Sequence, residues 1–64
     1  MITVNGVEKT LEKPLSVTEY LETNKYVPVQ VAIELNDKIL ARELYPTTIL
    51  KEGDIMEIVP GETD

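Results

Sequence analysis

Apolar and polar positions alternate along Met1-Ile2-Thr3-Val4, the spacing of a strand with one buried face. Asn5-Gly6 follows. Both residues tolerate positive φ, so the pair predicts a type I′ hairpin. The chain returns over Val7 to Leu11 with Val7, Lys9 and Leu11 on one face. The charge at Lys9 breaks the apolar pattern and predicts an edge strand. Lys13-Pro14 closes it, because proline offers no ladder donor. Ser16-Val17-Thr18-Glu19 reads as a capping box, and Val17, Tyr20 and Leu21 recur at i, i+3 and i+4. This predicts a helix near residues 16 to 24 that stops at Asn24 and is too short to stand without packing.

The clearest strand comes next, with Val31, Ile33 and Leu35 alternating with Ala32 and Glu34. Asn36-Asp37 is a turn signal, and Ile39-Leu40 a short returning strand. Ala41 to Tyr45 has room for one helical turn before Pro46. Lys51-Glu52-Gly53-Asp54 predicts a tight turn with Gly53 at positive φ. Ile55 to Val59 is the last strand. Glu57 must face water, so Ile55 and Val59 share its face while Met56 and Ile58 point inward. Pro60 is expected to end the strand.

One helix and one sheet then bury one face each against the other, an α+β, two-layer solution. The first and last strands are both apolar enough to lie centrally, and their separation in sequence allows a parallel pair. These features predict a β-grasp (ubiquitin-like) fold, a mixed four- to five-stranded sheet packed on one helix. Residues 1–59 form a single domain and 60–64 a polar, flexible tail. The expected core is Ile2, Val4, Leu11, Val17, Leu21, Val31, Ile33, Leu35, Leu50, Met56 and Ile58.

Composition narrows the chemistry. The 64 residues include no Cys and no His, which removes thiol nucleophiles, disulfides, thiolate metal sites and imidazole bases. No catalytic, cofactor-binding or metal-ligating set is expected. The formal charge of −6 repels phosphate backbones, so nucleic acid is not an expected partner. No apolar run reaches the length of a membrane span, and no signal-peptide pattern opens the chain. Absence of Cys is compatible with the cytoplasm. The default reading is an acidic module that binds another protein.

Met1-Ile2-Thr3-Val4-Asn5-Gly6, then Val31-Ala32-Ile33-Glu34-Leu35-Asn36-Asp37-Lys38-Ile39, then Leu50-Lys51-Glu52-Gly53-Asp54-Ile55-Met56-Glu57-Ile58-Val59 occur in order with short gaps. Together with Arg42-Glu43, this succession over residues 1 to 59 resembles the ThiS family, the ubiquitin-like sulfur carriers of thiamine biosynthesis. A TGS-type or MoaD-type domain is a looser relative with the same fold. The resemblance implies a cytoplasmic co-substrate protein, not an enzyme. Its partners would be a ThiF-like E1 adenylyltransferase and a ThiG-like thiazole synthase. In the family a C-terminal Gly-Gly is adenylated and converted to a thiocarboxylate, which donates the sulfur. This sequence has Pro60-Gly61-Glu62-Thr63-Asp64 there, and Gly61 alone could be a remnant of the reactive tail. A tail cut short before its Gly-Gly, a carrier-like module that only binds, and processing back to Gly61 all fit the departure. With Glu62-Thr63-Asp64 in that place, two added side-chain charges near ATP phosphates predict docking without activation. The alternative function is a non-conjugating interaction or regulatory module, degenerate ThiS or TGS-like.

Ile55 and Val59, with Ala32, are expected on the sheet face away from the helix, which ubiquitin-like carriers use for docking. Glu34 and Glu57 would rim that apolar centre, giving a partner-docking set of Ala32, Glu34, Ile55, Glu57 and Val59. The carboxylates of Glu62 and Asp64 have no fixed geometry to hold a metal and read as solvated. Arg42 could orient a partner carboxylate or pair with Glu43 or Glu34. Tyr20 reads as a half-buried helix residue, and Tyr26 and Tyr45 as loop residues with a contact or a packing role.

Overall fold

The computed structural model describes residues 1–61. Five strands and one helix follow in chain order: β1 (Ile2–Val4), β2 (Val7–Lys9), α1 (Val17–Thr23), β3 (Val31–Leu35), β4 (Lys38–Leu40) and β5 (Ile55–Pro60). Short 3-10 turns at Pro28–Gln30 and Arg42–Leu44 flank the β3–β4 hairpin. The sheet order is β2-β1-β5-β3-β4. β1 and β5 are parallel neighbours, and the other pairs are antiparallel. The β-grasp expectation is met, with β2 an edge strand and β5 central.

Both predicted capping-box bonds form. The Glu19 N–H donates to Ser16 Oγ at 3.0 Å, and the Ser16 N–H donates to Glu19 Oε1 at 2.9 Å. Asn24 caps the other end, its Nδ2 donating to the Tyr20 carbonyl at 2.9 Å. The helix buries Val17, Tyr20 and Leu21 against Ile2, Val4, Val31, Ile33, Leu50, Met56 and Ile58 of the core cluster.

Two-residue turns set both hairpin registers. Asn5 and Gly6 have φ of 50° and 82°, and Asn36 and Asp37 have φ of 54° and 70°, the positive values a type I′ turn requires. Each turn asparagine also bonds to β5. The Ile58 N–H donates to Asn5 Oδ1 at 2.8 Å, and Asn5 Nδ2 donates to the Ile58 carbonyl at 3.3 Å. From the opposite edge, the Ile55 N–H donates to Asn36 Oδ1 at 2.9 Å. Side-chain amides thus continue the ladder on both sides of β5 where the flanking strands have already turned away. Gly53 takes φ of 87° in the turn before β5, where the buried Asp54 carboxylate accepts from the Lys51 N–H at 2.9 Å and from Asn36 Nδ2 at 3.0 Å.

Several expectations need correction. β2 ends at Lys9, so Leu11 lies in the following loop and only partly packs against the core. Leu35 is also partly buried, because it sits at the end of β3 where the sheet turns over. Two tyrosines join the core instead. Tyr20 is buried on α1, and Tyr45, expected near a loop surface, is 2% exposed. Its hydroxyl donates to the Val31 carbonyl at 3.4 Å. β5 ends at Pro60 as expected, but Pro60 is counted within the strand as its last residue, opposite Val31. Bonds from Asp54, Met56 and Ile58 all run toward β1, so the nitrogen of Pro60 faces that same edge. β1 ends at Val4, so the missing N–H breaks no ladder bond.

Candidate functional site

The strand registers define the outward sheet face. Across β5 and β3, Val59 pairs with Ala32 and Glu57 with Glu34. β4 adds Ile39 opposite Glu34, and β1 places Thr3 beside Ile55. β2 contributes Glu8 opposite Thr3. The inward positions Met56 and Ile58 are buried, while Ile55 and Val59 are 53% and 46% exposed. The alternation forced by Glu57 therefore holds, and Ala32, Glu34, Ile55, Glu57 and Val59 lie together on the face opposite the helix.

Ile39 was missed. It is the most exposed large apolar residue described, at 81%. The signal was available: a two-residue Asn36-Asp37 turn pairs Glu34 with Ile39, so both must share a face.

The electrostatics of this face are one-sided. Glu8, Glu34 and Glu57 point outward, and no basic residue occupies a strand position on that side. The Asn36–Ile55 bond continues the β3–β5 ladder and makes Glu34 and Glu57 a hydrogen-bonded cross-strand pair. Like charges directly opposite are destabilising, by about 0.2–1 kcal/mol. Among the described residues no ion pair relieves them; the two present join the N-terminal amine to Glu52 and Lys51 to Asp54. Arg42 forms neither anticipated carboxylate pair. Its Nη2 donates to the Val31 carbonyl at 3.4 Å. β4 has ended there, and Arg42 and Tyr45 cover the carbonyl the next ladder bond would have used.

The C-terminal end of β5 lies beside the start of β3 and the Pro28–Gln30 turn. Gly61 is held there, its N–H donating to the Gln30 carbonyl at 2.6 Å. It is therefore not the free residue that a post-strand glycine suggests. The expected tail beyond it, Glu62 to Asp64, lies outside the described residues. Among the described residues no group of acidic side chains has the geometry of a metal site. No helix there is long and apolar enough to cross a membrane.

A model of the ThiS family matches residues 2–61. The chain belongs to the ThiS family. The crystal structure of the thiamine biosynthesis protein ThiS from Geobacter metallireducens is similar, with a TM-score of 0.84 and 35% identity over 98% of this chain and 96% of that one. A solution structure of a thiamine biosynthesis protein from the same organism gives a TM-score of 0.75 and 34% identity, over 98% of this chain and 90% of that one. An uncharacterized protein of Pyropia yezoensis, ycf40, is 33% identical over 58 residues, which covers 91% of this chain and 82% of the relative. Membership and structural likeness support a sulfur carrier of thiamine biosynthesis over a detached regulatory domain.

Proposed function

We propose that this ThiS-family chain is a sulfur carrier that docks on a ThiF-like E1 adenylyltransferase through Ala32, Glu34, Ile55, Glu57 and Val59, the sulfur being carried as a C-terminal thiocarboxylate when the arm ends in the family's Gly-Gly. A ThiG-like thiazole synthase would then accept the sulfur. The observation that supports the docking surface is its composition. Exposed Ile55, Val59 and Ile39 surround an acidic pair that no ion pair among the described residues neutralises. A partner that covers the apolar residues and brings a cation to Glu34 and Glu57 would remove both unfavourable features at once. The reaction itself belongs to the arm. In adenylation the terminal carboxylate attacks the α-phosphorus of ATP and pyrophosphate leaves, giving an acyl-adenylate; sulfide-level sulfur from the donor then attacks the acyl carbon and AMP leaves. On this reading the described residues give the arm its base at the end of β5 and the chemistry is supplied by the partner enzymes.

The test uses the protein with a ThiF-like enzyme. Calorimetry with parent and Val59→Glu should show binding weakened at least about tenfold in the variant, with unchanged circular dichroism. Association should slow as salt rises. Equal affinities would remove this face from the interface. Intact-mass spectrometry after addition of ATP and a sulfur donor follows activation, comparing the chain as it stands with a version whose residues after Val59 are replaced by a flexible arm ending in Gly-Gly. Exchange of one oxygen for sulfur is expected on the Gly-Gly version and not on the chain as it stands; exchange on the chain as it stands would refute docking without activation while still supporting the carrier. Binding without modification of either version favours the non-conjugating module.

A further inference from the structure

The β3–β5 ladder does not stop with β5. From Ala32↔Val59, the next hydrogen-bonded pair in the same register is Gln30 with Gly61. That bond is present at 2.6 Å. A Cβ built on residue 61 would stand 2.6 Å from the Gln30 oxygen and 3.2 Å from its carbonyl carbon. In a regular pleat the Cβ stands out of the sheet, clear of the neighbouring backbone. The chain at Gly61 has therefore rolled toward β3, and a residue without a side chain is what permits the approach. The other side of the contact is itself fixed. The Gln30 N–H donates to the Val27 carbonyl at 2.9 Å, Pro28 restricts the turn, and the turn lies against α1.

We propose that Gly61 is a positioning residue whose close contact with Gln30 fixes the point and direction at which the C-terminal segment leaves the fold. The geometry stands apart from the carrier reading, but the purpose rests on it. An arm that must place its end group in a partner's active site searches fewer conformations when its base is immobile. Gly61 would then serve the chemistry as the hinge pin of the arm and not as its reactive end. Alanine at this position must push the segment off Gln30, because the obstructing atom is backbone and cannot rotate aside.

Nuclear magnetic resonance on the full labelled chain tests the contact without any partner. A through-bond coupling between the Gly61 nitrogen and the Gln30 carbonyl carbon is expected, with Gly61 amide exchange slowed about tenfold or more against an unstructured peptide. Gly61→Ala should abolish both while the Ala32–Val59 bonds stay protected. An unprotected Gly61 amide, or an alanine variant with coupling and protection intact, overturns the proposal. The positioning role is then read on carriers that keep Pro60 and Gly61 and bear an activatable Gly-Gly end beyond them. There Gly61→Ala should lower turnover by the adenylating enzyme about tenfold and leave the dissociation constant unchanged. Turnover that does not change, or that falls only with affinity, overturns the positioning role. Failure of the parent to be activated refutes the carrier reading and the purpose drawn from it, while the resonance experiments still decide the contact.

Discussion

Removing the Asn5 side chain should destabilise this domain more than its surface position suggests. Asn5 serves two needs at once. Its φ of 50° lies in the left-handed region, where alanine is disfavoured by roughly 1–2 kcal/mol. Its carboxamide also accepts from the Ile58 N–H at 2.8 Å and donates to the Ile58 carbonyl at 3.3 Å. A typical net contribution is about 0.5–1.5 kcal/mol per hydrogen bond, and the longer one belongs at the low end. Asn5→Ala loses both terms, about 2–4 kcal/mol together. A 64-residue chain has roughly 3–10 kcal/mol of stability in total, so this is a large share. Asn5→Gly keeps the backbone conformation and loses the bonds, with a further roughly 0.5–1 kcal/mol from the freer unfolded chain. Asn5→Asp keeps the acceptor but turns a carboxylate oxygen toward the Ile58 carbonyl, so it should fall between parent and glycine. Urea unfolding with a constant m-value measures the series, and the expected order of stability is Asn, Asp, Gly, Ala. A glycine variant as stable as the parent would refute the side-chain splice between β1 and β5. Alanine equal to or better than glycine would refute the backbone term.

Other perturbations follow from the same geometry. Ser16→Ala should cost about 1 kcal/mol in denaturant melts, because the capping box satisfies two otherwise free amides. Ile33→Ala, at a fully buried position, should cost about 2–5 kcal/mol, and an unchanged melting temperature would mean the β3 faces were assigned backwards. Burial, reinforced by the nearby Tyr26, raises the Tyr20 pKa above its ordinary 10.0. The folded state therefore binds that proton more tightly than the unfolded chain. The Tyr20 contribution is fully present below the ordinary value and is lost as pH rises through the raised one. Unfolding curves taken across that alkaline range should show stability falling in the parent and falling less in Tyr20→Phe.

The sequence carries the parts of this fold that depend on local rules. The Val31–Leu35 alternation, the Asn5-Gly6 turn and the Ser16–Glu19 box each contain their own partner or their own periodicity. The outward face was readable for a related reason: Glu57 cannot be buried unpaired, and its parity fixes Ile55 and Val59. What was hidden depends on who lies across the sheet. Tyr45 has no periodic neighbours, and only closure of the chain over β3 makes it core. Pro60 looks like a stop until the register shows that its nitrogen faces an edge with no strand. Asn36-Asp37 is a weaker turn signal than Asn-Gly, yet the Asn36 side chain supplies the acceptor for Ile55. Gly61 looks free until the backbone of Gln30 is found against it.

The outward face around the middle of β5 and the C-terminal end of that strand hold this chain's main conflicts with local stability rules. The Glu34–Glu57 pair sets like charges opposite one another in the most central part of the sheet surface, beside an isoleucine that is 81% exposed. An isolated domain would gain by replacing either glutamate with lysine and Ile39 with a polar residue. At the C-terminal end, Gly61 gives up side-chain packing so that its backbone can touch Gln30. Elsewhere most local signals agree with the fold: both ends of α1 are capped, the hairpin-turn residues suit their positive φ values though Lys25 after α1 takes φ of 67°, and among the described residues no buried side-chain polar atom lacks a partner. Departures from otherwise consistent design tend to mark where function competes with stability. Here they fall on one sheet face and on the tail exit at the end of the same strand. A partner seated on that face, as proposed, would meet the arm where it leaves the fold, and recognition and delivery would then share β5 as their common support.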